Sequence, residues 1–427
     1  MMRERLWMLV WAAVSLPVGA QRFEDYFEDK TLRLDYVFAG DNRRQQLYVD
    51  ELCVSEGWAG RRHHLKELPL QGNGQLTMCD EATGDTIYRH SFSSLFQEWQ
   101  STEEAVRLPK SFENCFLMPF PKKPVLVTLT LCDTRRRESS RLQHRVDPSD
   151  ILIRRIGQEQ PEHRYIHRGG SAADCIDVAL VAEGYTKQEM PLFYEDCGRA
   201  VEALLGHEPF ASLKERFNFV AVASPSVQSG VSIPGKGVWK NTAVDSHFDT
   251  FYSERYLTTL HLKELHNRLA GVPYEHIIIL ANTEHYGGGG IYNSYTLTAA
   301  HHATFAPVVV HEFGHSFGGL GDEYFYDDQY EPMYPAGVEP WEPNLTTLTD
   351  FSAKWKDMLP SGTPVPTPLS EREDEVFTRV GVFEGGGYQS KGVYRPAQEC
   401  RMKINEAPVF CPVCQRALRR LITFYTE

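Results

Sequence analysis

The chain has 427 residues, 42% hydrophobic and 24% charged, an ordinary globular composition that excludes collagen-like, coiled-coil and wholly disordered readings. Its 44 Lys+Arg against 57 Asp+Glu give a net charge of −13, a field that repels a phosphate backbone, so no nucleic-acid partner is expected. The length suits two or three domains with ample core.

In chain order, Arg5 precedes an apolar run from Leu6 to Ala20 that is broken only by Ser15 and closed by the small residues Val18-Gly19-Ala20. Residues 1–20 read as a secretory signal peptide, since a spanning helix needs about 20 apolar residues. The mature chain then begins near Gln21 and is secreted or periplasmic, with attachment to the cell surface left open. Later apolar runs are sized for strands or core helices, so no stable membrane insertion is expected.

Residues 21–146 read as an all-β, sandwich-like accessory domain. Alternating stretches such as Thr31-Phe38, Arg44-Val49, Gln75-Met78 and Val125-Cys132 are separated by turn signals at Gly40-Asp41-Asn42, Gly72-Asn73-Gly74 and Gly84-Asp85. The boundary falls between the basic, polar Arg135–Arg141 and Asp147-Pro148-Ser149-Asp150. Residues 147–427 read as an α/β (α+β) domain. Buried strands are expected at Asp177–Ala182, Phe217–Ala223 and His276–Ala281, with helices at Lys187–Leu205 and Glu254–Ala270. The nine cysteines are too sparse for a disulfide scaffold, although an exported chain can oxidise some of them.

The chemistry lies in His311-Glu312-Phe313-Gly314-His315, an H-E-x-x-H pattern that follows Pro307-Val308-Val309-Val310. On a helix opened by Pro307, His311 and His315 share one face and can bind a single zinc ion through neutral ring nitrogens. Glu312 follows the first ligand, the position of a general base for the metal-bound water. Gly318, Gly319 and Gly321 make continuation of the helix costly, so the chain turns there. Asp322 is then the natural third ligand, because catalytic zinc takes three protein ligands and one open position.

This segment resembles the zinc site of metzincin-type metallopeptidases, whose motif is H-E-x-x-H-x-x-G-x-x-H with Asp in the last place in some groups. Here the tenth residue after His311 is Gly321, and Asp322 comes one later. The form H-E-x-x-H-x-x-x-G-L-x-D-E-Y is similar to the immunoglobulin-A-peptidase family of secreted bacterial zinc metallopeptidases; the offset leaves Glu323 as the rival third ligand. The order of Gly385-Gly386-Gly387-Tyr388, Gly392-Val393-Tyr394-Arg395-Pro396, Glu399-Cys400-Arg401-Met402 and Phe410-Cys411-Pro412-Val413-Cys414 is similar to the C-terminal part of the same family. The resemblance implies a metzincin-like zincin domain with Met402 in its methionine turn, and offers Tyr388 and Tyr394 as oxyanion donors.

It further implies one catalytic Zn2+, and a protein or peptide as substrate, host glycoproteins among them. Two other readings share the motif: a zinc hydrolase of a non-peptide amide or ester, and a non-catalytic protein that binds a host protein or glycan. Cys411-x-x-Cys414 lacks the second pair a structural zinc needs, which favours a structural or disulfide role, with Cys400 as a partner. The glycine run Gly287–Gly290 lines the cleft or forms a mobile loop. His301 and His302 read as surface residues, and Asn344-Leu345-Thr346 is a glycosylation sequon.

Overall fold

The computed structural model describes residues 22–326 and 333–427, so the apolar segment over 1–20 lies outside the described residues. After the short helix α1 (Phe23–Tyr26), the chain builds two four-stranded sheets. One contains β1 (Phe27–Gly40), β2 (Gln45–Glu56), β5 (Lys110–Pro121) and the two-residue β8 (Arg154–Arg155), in the order β5-β1-β2-β8. The other contains β3 (Gly74–Asp80), β4 (Thr86–Phe92), β6 (Val125–Cys132) and β7 (Glu138–Val146), in the order β4-β3-β6-β7. Strand β6 shows why: Val125, Val127, Leu129 and Leu131 are buried while the residues between them are half-exposed, the period-two pattern of a strand with one face in the core. The sheets meet through Phe38, Phe92 and Phe116, with the Phe92 and Phe116 ring centroids 4.2 Å apart. Helices α2 (Leu95–Trp99) and α3 (Glu103–Arg107) lie between β4 and β5.

Arg135–Arg141 belongs to the second of the N-terminal sheets. It forms a turn, in which the Arg136 N–H returns to Asp133, and the start of edge strand β7. Its arginines pair with Asp133 and Glu138 at the surface, as charged edge strands do.

The second half is organised around a six-stranded sheet of order β13-β14-β12-β10-β11-β9. β10 (Ile176–Glu183), β11 (Phe217–Val222), β12 (His276–Ala281) and β14 (Tyr295–Ala299) are parallel, and the edge strands β9 (His163–Arg168) and β13 (Gly288–Ile291) run antiparallel. Val178, Leu180, Phe219, Ile278 and Leu280 face a core shared with helices α4 (Met190–Leu205), α6 (Phe305–Ser316) and α8 (Pro412–Thr426). Ala179, Val181, Val220, Ile277 and Ile279 join the core of the N-terminal sheets. Burial on both faces explains the continuous apolar runs in the sequence. The helix expected at Glu254–Ala270 is shorter: α5 covers only Leu262–Arg268, because Tyr256 is drawn into a bridge with Gly288 and Thr258 into one with His247. A small sheet of β15 (Phe325–Tyr326), β17 (Tyr388–Arg395) and β16 (Phe383–Gly386) and the short α7 (Glu373–Val376) complete the chain.

Candidate active site

Helix α6 begins at Phe305, with Pro307 in its first turn where no backbone donor is needed. Phe305, Val309, Val310 and Phe313 anchor it in the core, which leaves His311, Glu312 and His315 facing a cleft of about 580 Å³. Strand β13 crosses directly against this helix. A Cβ on Gly290 would lie 2.3 Å from the Glu312 carbonyl oxygen, and one on Gly288 would lie 2.9 Å from Glu312 Oε1. The glycine run is therefore what lets the edge strand and helix touch. It is an ordered strand that lines the cleft, and its outer side is partly taken, since the Leu257 N–H donates to the Gly288 carbonyl at 3.4 Å.

Gly319, at φ +57°, reverses the chain after α6, and the Leu320 N–H returns to the Gly314 carbonyl at 3.1 Å. The turn also orients a histidine: His315 Nδ1 is 2.6 Å from the Leu320 carbonyl, and His311 Nδ1 is 2.9 Å from that of Arg401. With Nδ1–H donating to a carbonyl, each ring turns Nε2 toward the same point. The two Nε2 atoms are 3.0 Å apart, and Asp322 Oδ1 lies 3.1 Å from His311 Nε2 and 3.2 Å from His315 Nε2. Asp322 Oδ1 is buried without a hydrogen-bond partner, while the Tyr388 hydroxyl donates to Oδ2. The edges of a tetrahedral zinc site with nitrogen and oxygen ligands are about 3.3 Å, so these donors fit such an ion.

The electrostatics agree. Burial would raise the Asp322 carboxyl, but the His315 and His311 imidazoles hold it well below the usual carboxylate range. Glu312 is pushed up, chiefly by burial, with Asp322 adding to the effect against the two histidines. Its carboxylate lies within 4.8 Å of both imidazole donor atoms.

Residues 165–379 and 371–422 match the family described as IgA Peptidase M64, and residues 22–143 match Peptidase M64 N-terminus. The chain belongs to the M64 peptidase family. M64 peptidases are metallopeptidases acting on protein substrates, and His311, Glu312 and His315 form one group able to hold a metal ion. A comparison with curated proteins gave no match. Among the described residues no helix is long and apolar enough to cross a membrane.

Glu323, the rival third ligand, points elsewhere. Its carboxylate accepts from Asn344 Nδ2 at 2.9 Å and from Cys414 Sγ at 3.2 Å, away from the histidines. Met402 is fully buried under α6, where a Cβ on Gly314 would come 2.6 Å from its sulfur, and its carbonyl accepts the Glu323 N–H at 2.8 Å. Tyr388 lines the cleft and Tyr394 does not. His301 pairs with buried Asp196 at 2.8 Å and His302 with Thr304 at 2.8 Å; neither lines the cleft. Asn344 is 0% exposed and its amide clamps Gly321 from both sides, so in the folded chain it is a structural residue and not a glycan acceptor. All nine cysteines are unpaired.

The cleft contains residues that motif reading does not single out. Ser93, Glu98, Ser101 and Thr102 reach it from the N-terminal half and Tyr256 from the second, beside Tyr324 of the motif. Glu98 accepts from the Tyr256 hydroxyl at 2.5 Å, and burial raises its carboxyl to about 7. No local pattern marks Glu98; Tyr324 stands in the motif itself.

Proposed function

We propose that this M64 peptidase is an exported zinc-dependent endopeptidase, with His311, His315 and Asp322 holding the ion and Glu312 as the general base. One observation carries the reading: an unpartnered buried oxygen of the Asp322 carboxylate faces two imidazole nitrogens, each oriented by a backbone carbonyl, beside a second carboxylate, Glu312, on the cleft. When bound, zinc would polarise the scissile carbonyl and make water a competent nucleophile near neutral pH. Glu312 then takes a proton from the attacking water and delivers it to the leaving nitrogen, a role suited to a carboxylate whose proton affinity burial has raised. Asp322 is kept charged by its neighbours and oriented by Tyr388. The metzincin comparison rests on Met402 beneath α6 and on edge strand β13 along the cleft. An extended peptide could lie beside β13, and the chain's export would bring it to extracellular or periplasmic proteins, host glycoproteins included.

The test is zinc content of the mature protein together with turnover of a mixed peptide library, with and without chelator. Chelator-sensitive cleavage is expected. Glu312→Gln should retain zinc and fold while kcat falls roughly 100- to 10,000-fold. Peptide cleavage that survives complete metal removal, or a fully active Glu312→Gln protein, would overturn the assignment.

A further inference from the structure

A second cluster of metal-ligand chemistry sits behind the first. Glu323, Cys400, Cys411 and Cys414 are each 0% exposed, and one donor atom from each lies within 4.8 Å of all the others. Cys400 Sγ and Cys414 Sγ are 3.8 Å apart, and Glu323 Oε1 is 3.2 Å from Cys414 Sγ. With zinc–sulfur bonds of about 2.3 Å, the sulfur–sulfur edge of a tetrahedral site is about 3.8 Å. The Cys411 N–H points at Cys400 Sγ at 3.2 Å, a contact that stabilises a thiolate. Glu323 Oε2 is buried with no partner.

We propose that Glu323, Cys400, Cys411 and Cys414 hold a second, structural zinc ion. The lone C-x-x-C lacks a second pair only in sequence; the fold supplies it from Cys400 and Glu323. A disulfide explains less, because it would use two sulfurs and leave a third thiol beside a buried, unsatisfied carboxylate. Three thiolates and one carboxylate around a divalent ion carry the same net charge as the familiar four-thiolate site, and the buried Arg395 guanidinium lies close enough to Glu323 to offset part of it. The ion would fasten the loop that presents the Arg401 carbonyl to His311, and Met402 to Gly314, onto the extended segment that presents Asp322. Its task is to position the first centre.

The inference goes beyond the peptidase reading and is tested without measuring activity. The full mature chain is purified without chelator or reductant and its zinc counted. About two ions per chain are expected, falling to about one in the double variant His311→Ala/His315→Ala, which leaves the cysteine cluster untouched. Replacement of the remaining zinc by cobalt in that variant should give an intense thiolate-to-cobalt charge-transfer band, absent from a site of imidazole and carboxylate alone. Cys411→Ser should abolish the band; if that variant does not fold, the double-histidine protein decides alone. No metal and no band in the double-histidine protein would overturn the proposal, as would a disulfide among Cys400, Cys411 and Cys414 in the unreduced wild type.

Discussion

Tyr388→Phe separates two roles for the same hydroxyl. From the sequence, Tyr388 is a candidate oxyanion donor; in the structure its hydroxyl donates to Asp322 Oδ2, while Oδ1 of the same carboxylate has no hydrogen-bond partner. The substitution is clean in its surroundings. The phenyl ring keeps its edge contact with Tyr324 at 5.3 Å and its stacking on Tyr326 at 6.5 Å, and the unusual φ of +66° is imposed equally on both residues. What is lost is one hydrogen bond to a charged acceptor, about 1.5–3 kcal/mol. Spent on orienting a metal ligand, that energy corresponds to a roughly 10- to 150-fold weaker zinc affinity. Zinc Kd is read by competition with a chromophoric chelator, and kcat/KM at saturating zinc. The expected result is a weakened Kd with most of kcat recovered once zinc saturates. An unchanged Kd with a large fall in kcat would refute the positioning argument and place the hydroxyl on the reacting centre.

Two further predictions follow from the same geometry. Burial alone would lower the His315 imidazole, but the charge and hydrogen bond of Asp322 outweigh it and raise the metal-free group to about 9. Ligation needs the neutral ring, so zinc uptake at the histidine site at pH 7–8, in protein whose cysteine cluster is already filled, should release about one proton, and the affinity of that site should climb until about pH 9 and then level off. Calorimetry in buffers of different ionisation enthalpy measures it, and no proton release at pH 7 would contradict it. By the same linkage, the proton stabilises the metal-free fold fully below the unfolded histidine value near 6.5, and that contribution is lost as pH rises through about 9. Gly290→Ala places a methyl 2.3 Å from the Glu312 carbonyl oxygen, a backbone clash that must push β13 off α6. Stability should fall by about 1–3 kcal/mol on overpacking grounds, with kcat/KM reduced roughly 100-fold by the displaced cleft wall. Denaturant titration and steady-state kinetics check both, and an unperturbed kcat/KM would show that the strand does not hold the catalytic helix in place.

What the sequence discloses divides by distance along the chain. The pairing of His311 with His315 is legible because four residues on a helix fix a shared face. The N-terminal sheets are legible where alternation is clean, as in Val125–Cys132, and the parallel strands where both faces are buried, as in Ile176–Glu183. Contacts between distant segments leave no such trace. Glu98 meets Tyr256 across 158 positions, and Asn344 reaches back 23 residues to clamp Gly321. Asn344 is a warning of a different kind: its triplet has the form of a surface sequon, and its side chain is at the bottom of the fold. The helix expected over Glu254–Ala270 is cut short for the same reason, since an apolar pattern compatible with helix over 254–261 yields to the bridges that Tyr256 makes with Gly288 and Thr258 with His247.

The displaced carboxylate in the motif has a physical explanation in the pair Asp322-Glu323. After the Gly319 turn the chain is extended, and the Asp322 carbonyl accepts the Gly387 N–H at 2.7 Å while the Tyr324 carbonyl accepts that of Tyr388 at 3.0 Å. In an extended segment adjacent side chains leave on opposite sides. Asp322 therefore faces the histidines and Glu323 the cysteines, a one-residue boundary between the two clusters. Asn344 holds both ends of that boundary, bonding the Gly321 backbone and the Glu323 carboxylate with one amide. A turn one residue shorter would reverse this parity, turning Asp322 toward the sulfurs and Glu323 toward the imidazoles. The extra residue is thus what lets consecutive acids face separate side-chain clusters. It also ties the geometry of the cleft to a cluster that no substrate can touch.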